Sequence, residues 1–348
     1  MDFQPDGVHR GRRPHVVTRI FKHSGVPRYV SVRFTPLESF RSSLFALLPL
    51  AASALWGGMY VVSKWGFGAV PPVTLAALRV AVGAATLLVA VAVAYPARDF
   101  SRRDWRGFTV LAVWVSVTLV TQFLGTDLTT ASEGSLVTVL TPVATLVLGV
   151  LVLGERLTRR KTGGMLLALV GTGVVLASRY GLDSLGAGAA SGIALLVLAS
   201  VGWAAYTVWG KRLVRTYSAL ETATYSSLLA TPLLAAAAAV ELAVADTALG
   251  SIPITAGTVG AVLYLGVGAT AVAWYAWYKG VEYVDTGTVA VYFFAQPVVG
   301  AVLGAVFLQE PLGIGFVAGG VVMAIGIYAV TTATTQPAET TDVQRTAD

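Results

Sequence analysis

From residue 44 to residue 332 the chain runs as apolar blocks of about 20 residues divided by short polar breaks, the length a helix needs to cross the hydrocarbon core of a bilayer. The pattern predicts ten helices, over residues 44–66, 72–95, 107–126, 131–153, 162–179, 189–210, 220–244, 256–279, 286–308 and 312–332. Pro71-Pro72 opens the second and Gly188 lies just before the sixth, both residue types that punctuate helices. The breaks at Asp127 to Thr130 and Gln309 to Pro311 are so short that the blocks on either side nearly run together.

The blocks repeat. Gly125, Pro142, Glu155, Gly164 and Gly171 recur as Gly280, Pro297, Glu310, Gly319 and Gly326, at a constant offset of 155. Trp56 and Lys64 find counterparts eight residues apart in Trp203 and Lys211. The chain therefore divides into a basic tail (1–43), a first repeat (44–179), a second repeat (189–332) and a tail rich in Thr, Ala and Gln (333–348) expected to be disordered. With the N-terminus inside, the inner loops collect Arg98 to Arg106, Arg156 to Lys161 and Lys211 to Arg215, while the outer loops keep only Arg179. That bias places both termini on the cytoplasmic side of the cell membrane. Five spans per repeat is an odd number, so the second copy must lie upside down. The loops agree: four basic residues follow Glu155, and none follows Glu310 in Pro311-Leu312-Gly313. The predicted fold is an all-α integral membrane protein of ten transmembrane helices in two inverted five-helix repeats, an arrangement used by many transporters.

Composition agrees. The chain is 55% hydrophobic and 12% charged with a mean hydropathy of +0.73, against roughly 25% charged in soluble domains. It has no cysteine, and His9, His15 and His23 all lie in the N-terminal tail. No metal site, cofactor or catalytic pair is therefore expected within the spans, and the reading is not an enzyme. The net charge of +6 lies between apolar blocks, which argues for helix orientation and against nucleic acid. No phosphate-binding loop of the ATP-hydrolysing kind appears.

These residues carry a resemblance. Ala54-Leu55-Trp56-Gly57-Gly58 with Lys64 and Arg79, then Leu140-Thr141-Pro142-Val143 through Leu153-Gly154-Glu155-Arg156-Leu157 with Gly163-Gly164 and Gly171, and the second copy Gln296-Pro297-Val298-Val299 through Gln309-Glu310-Pro311-Leu312, resemble the EamA type of the drug/metabolite transporter superfamily. The resemblance covers residues 44–332. It implies a central cavity, alternating access, and export or uptake of small metabolites. One departure is that Ser226 stands where Arg79 would recur.

A carrier needs a polar patch at mid-membrane and helices that bend. Pro142 and Pro297, near the middles of the fourth and ninth helices, are expected to kink them and free carbonyls. Arg79 is the deep charge, and a charge at a helix centre costs roughly 2.5–3.5 kcal/mol on insertion scales. It reads as either a structural pair or an anion site. Glu133 is the carboxylate best placed for a proton site or an Arg79 partner, and is equally a helix N-terminal acid favoured by the dipole. Trp56, Trp203 and Trp274, with Tyr60, Tyr206, Gln122 and Gln296, are expected to line a mixed apolar and polar cavity suited to amphipathic organic molecules.

The function expected is a secondary permease for small metabolites, with amino acids the leading class and the lipid bilayer its setting. Alternatives are a multidrug or a sugar-phosphate/nucleotide-sugar exchanger, or a membrane scaffold that transports nothing. A proton as coupling ion and a homodimer both stay open.

Overall fold

Helices fill the apolar blocks. The computed structural model describes residues 48–96, 98–153, 158–180, 187–281 and 295–332, all within one unit and without a strand. The helices are α1 (Leu48–Gly66), α2 (Pro72–Ala94), α3 (Arg102–Asp127), α4 (Ala131–Val137), α5 (Thr141–Leu153), α6 (Arg159–Tyr180), α7 (Ala187–Thr216), α8 (Ala219–Val244), α9 (Ala256–Leu263), α10 (Ala273–Val281), α11 (Ala295–Phe307) and α12 (Ile314–Thr332). A 3-10 turn, Thr138–Leu140, joins α4 to α5, and a π-helical stretch, Tyr264–Val272, joins α9 to α10. Among the described residues, six ranges are long and apolar enough to cross a membrane: Pro72–Ala94, Arg102–Asp127, Ala131–Val152, Gly188–Gly210, Ala219–Val244 and Ala256–Trp277. Shorter apolar helices follow at Thr162–Val175, Ala295–Phe307 and Ile314–Gly326. Glu155, both tails and the first part of the predicted ninth helix lie outside the described residues.

Where boundaries differ from the hydropathy pattern, capping explains it. Helix α3 begins at Arg102, five residues before the predicted start, because Ser101 and Asp104 form a capping box over a polar first turn. The same device starts α4, through Thr130 and Glu133, and α8, through Ser218 and Glu221.

Other helix ends are satisfied from across the molecule. Glu310 accepts from the amides of Ala131 (2.7 Å) and Ser132 (2.9 Å), capping α4. Glu241 does the same for Val73 (2.8 Å) and Thr74 (2.7 Å) at the start of α2. Lys64, near the end of α1, donates to the last carbonyls of α3, Thr126 (3.1 Å) and Asp127 (2.5 Å). Each carboxylate sits at the positive end of a helix and the ammonium at a negative end, the favourable sense of the dipole.

The repeat glycines meet one another. A Cβ on Gly171 would lie 2.6 Å from the Gly319 carbonyl oxygen, and one on Gly326 would lie 2.5 Å from the Gly164 carbonyl oxygen. Gly164 corresponds to Gly319 and Gly171 to Gly326, so each glycine touches the counterpart of the other. That cross-pairing marks a pseudo-two-fold axis with α6 and α12 running antiparallel. The remaining packing follows the same rule: α1 against α11 is matched by α7 against α5, and α1 against α10 by α7 against α3. Between polar caps the outer surface exposes aliphatic side chains such as Val89, Val93, Val240 and Val244, as a lipid-facing surface does.

The glycine crossing makes a paired prediction. Gly171→Ala places a methyl 2.4 Å from the Met323 amide nitrogen, whereas a Cβ on Gly173 meets nothing within 4 Å. Thermal unfolding in detergent is expected to show Gly171→Ala destabilised by about 1–3 kcal/mol. Gly173→Ala is expected to be neutral or up to about 1 kcal/mol more stable.

Candidate functional site

A cavity opens where the two copies face each other. Trp56 and its counterpart Trp203 meet with ring centroids 6.1 Å apart at 73°, so the pseudo-axis passes beside them. Trp203 packs edge-on against Trp274 at 5.3 Å, and Trp56 lies against Trp277 at 5.2 Å with the rings tilted by 50°. The wall is formed by Trp56, Met59, Tyr60, Arg79, Thr118, Leu119, Gln122, Thr138, Thr141, Ala199, Trp203, Trp274 and Gln296. The interior offers about 50 Å³, room for a few waters at about 10–15 Å³ each.

One side of the wall is a neutral hydrogen-bond network. Gln122 Nε2 donates to the Tyr60 hydroxyl at 2.6 Å, and Tyr60 lies 2.5 Å from Thr138 Oγ1. Thr138 spends its own proton on the Gly134 carbonyl at 2.9 Å, so Tyr60 must donate to Thr138. Gln296 Nε2 adds longer bonds to Tyr60 (3.4 Å) and Thr138 (3.3 Å). The network joins α1, α3, α11 and the 3-10 turn. Gly134 permits it, since a Cβ there would fall 2.9 Å from the Tyr60 ring.

Pro142 explains the 3-10 turn. Without an N–H it leaves the Thr138 carbonyl unclaimed. That carbonyl accepts from the Thr141 amide and from Thr141 Oγ1 at 2.7 Å. The helix tightens just before the proline, and Thr138 and Thr141 reach the cavity wall. Pro297 is the third residue of α11, and the segment its kink would involve lies outside the described residues.

Arg79 forms another part of the wall. It is 3% exposed, donates from Nε to Thr270 Oγ1 at 2.8 Å, and approaches the Ala269 carbonyl at 3.3 Å and the Met59 sulfur at 2.7 Å. Its guanidinium lies 5.7 Å from the centre of the Phe123 ring. Trp56 Nε1 donates to the same Ala269 carbonyl at 2.9 Å. Ala269 and Thr270 belong to the π-helical stretch, whose widened turn presents this carbonyl and hydroxyl to α1 and α2. Close approach requires glycine on both sides: a Cβ on Gly83 would fall 2.6 Å from Thr270 and one on Gly266 would fall 2.7 Å from Val82.

Of the nine residues expected at the site, Trp56, Tyr60, Arg79, Gln122, Trp203, Trp274 and Gln296 are in the wall. Tyr206 stands behind it, stacked on Trp203 at 5.3 Å and Trp274 at 5.8 Å, with its hydroxyl 3.2 Å from Ser226. Glu133 is outside the wall, its carboxylate accepting from the Thr130 amide at 3.1 Å in the α4 capping box. Sequence reasoning missed Met59, Thr118, Leu119, Thr138, Thr141 and Ala199. For Met59 a signal existed: it falls opposite Tyr206 in the repeat, as Arg79 falls opposite Ser226. The Met59–Arg79 and Tyr206–Ser226 contacts are the same contact in the two copies.

Comparisons with known proteins agree with this arrangement. A sequence model described as the EamA-like transporter family matches residues 43–177 and again 190–332. An uncharacterized transporter of Archaeoglobus fulgidus is 28% identical, over 79% of this chain and 94% of that protein. A probable amino-acid metabolite efflux pump of Salmonella typhimurium is 29% identical over 81% and 92%. An aromatic amino acid exporter of Ancylobacter novellus is 26% identical over 74% and 86%. One solved crystal structure, 22% identical, superposes with a TM-score of 0.60 over 84% of this chain and 97% of that one, a likeness of fold.

The Tyr60 network is testable. Tyr60→Phe strands partners on three elements and is expected to lower thermal stability by about 1–3 kcal/mol. Combined with Gln296→Leu, the loss should fall short of the sum, because both changes open one network.

Proposed function

Because the chain belongs to the EamA-like transporter family, we propose that it is a secondary carrier of small amphipathic organic solutes working by alternating access, with ten spans in two inverted repeats. Its setting in this reading is the cell membrane, with both termini cytoplasmic. The observation that carries the reading is the cavity on the pseudo-two-fold axis, walled by residues of both copies. An antiparallel pair of copies presents the same helix ends to both faces, so exchanging their tilts exchanges which face the cavity opens to. The space of about 50 Å³ suits a closed stage of that cycle, since a solute of amino-acid size enters only when helices part. Trp56, Tyr60, Gln122, Trp203, Trp274 and Gln296 supply flat apolar faces and hydrogen-bonding groups, a lining that fits amino acids and related solutes. Two relatives named for amino-acid efflux support that class.

Purified protein in liposomes loaded with an unlabelled amino-acid pool is expected to take up labelled solute faster than empty-loaded liposomes do. Uptake that ignores the loaded pool would point to a channel, and no flux for any solute to a scaffold. A pH gradient that drives uptake without the pool would identify the proton as coupling ion.

A further inference from the structure

Among the described residues, the cavity wall holds one permanent positive charge and no negative one. Arginine stays cationic throughout the accessible pH range, and no Asp or Glu is among the described lining residues. The partners of Arg79 among the described residues are all neutral: a hydroxyl, a carbonyl, a thioether and a ring face. A guanidinium has five N–H donors. Here one makes a good oxygen contact at 2.8 Å, one a long contact at 3.3 Å, and one faces sulfur, a weak acceptor. The indole N–H of Trp274, 2% exposed and in the same wall, has no acceptor among the described residues.

We propose that the site selects organic monoanions, an apolar or aromatic body bearing a single carboxylate, over zwitterions and cations of the same shape, with Arg79 as the ligand for the carboxylate. The proposal rests on the carrier reading and, within its amphipathic solutes, ranks carboxylates that lack an ammonium above the amino acids themselves. A carboxylate leaving water is compensated by the guanidinium through charge-assisted hydrogen bonds. An ammonium on the same body would leave water with no carboxylate to meet it. Tryptophan faces accommodate the body, and a cation–π contact offsets only part of that cost. Dianions are disfavoured too, since the position equivalent to Arg79 is Ser226 and supplies no second charge.

The test uses the full chain in detergent and three compounds sharing a phenyl ring: 3-phenylpropionate, phenylalanine and phenethylamine, followed by quenching of tryptophan fluorescence. Half-saturation by 3-phenylpropionate is expected at concentrations at least about tenfold lower than for either of the others. Arg79→Gln should abolish that preference. Arg79→Lys should keep its sign while weakening the acid severalfold, because lysine cannot bind two oxygens as a fork. Phenylalanine or phenethylamine binding as tightly as the acid, a preference that survives in Arg79→Gln, unchanged acid affinity in Arg79→Lys, or no quenching by any of the three would each overturn the proposal. Should Arg79→Gln not fold, the wild-type order and Arg79→Lys decide it. Counterflow of the same compounds in liposomes separates the two readings. Selective binding without exchange defeats the carrier and leaves the anion site standing. Exchange of phenylalanine without preference for the acid does the reverse.

Discussion

Backbone pressed against backbone at glycine is the contact on which this architecture depends. In lipid the hydrophobic effect gives helices no reason to associate, so packing and hydrogen bonds must hold them. At α6 and α12, Gly164, Gly171, Gly319 and Gly326 remove the Cβ atoms that would keep the helices apart, and each glycine finds the other's counterpart. Such a contact fixes the relation between the copies. Once they are antiparallel about one axis, the tryptophans at equivalent positions meet, and side chains from both copies surround the space beside them.

Helix ends impose the second constraint, because an unpaired backbone group costs several kcal/mol where water is absent. The solution runs from the second copy to the first. Glu310 of the second copy caps α4 of the first, and Glu241 of the second caps α2 of the first. Inside the cavity, Thr141 answers the carbonyl that Pro142 abandons. Breaks in regular helix, at the 3-10 turn and the π-helical stretch, thus occur where side chains absorb the loose ends, and both supply polar groups to the wall or to Arg79.

Much of this was legible in the sequence because repeat and membrane leave strong marks. The offset of 155 picked out the glycines that touch, and the Trp56–Trp203 match picked out the pair beside the axis. Charged and polar residues deep in apolar blocks stand out, which is why Arg79, Gln122 and Gln296 were found in the wall. Thr118, Leu119 and Ala199 carry no such mark, since nothing in a small or aliphatic side chain distinguishes a cavity from lipid. Of the two readings the sequence left open for Glu133, the structure shows the helix N-terminal acid, held by the capping box with Thr130. The π-helical stretch had no signal at all: Tyr264 to Val272 reads as ordinary helix, and in the structure it lies close against α2 at Gly83 and Gly266.

The scaffold is more symmetric than what it carries. Rotation about the pseudo-axis lays Met59 and Arg79 onto Tyr206 and Ser226, so the guanidinium stands to one side of centre. The backbone differs too, since the π-helical stretch Tyr264–Val272 of the second copy corresponds to unbroken helix within α3 of the first, so an exchange of roles between the copies would not be energetically neutral.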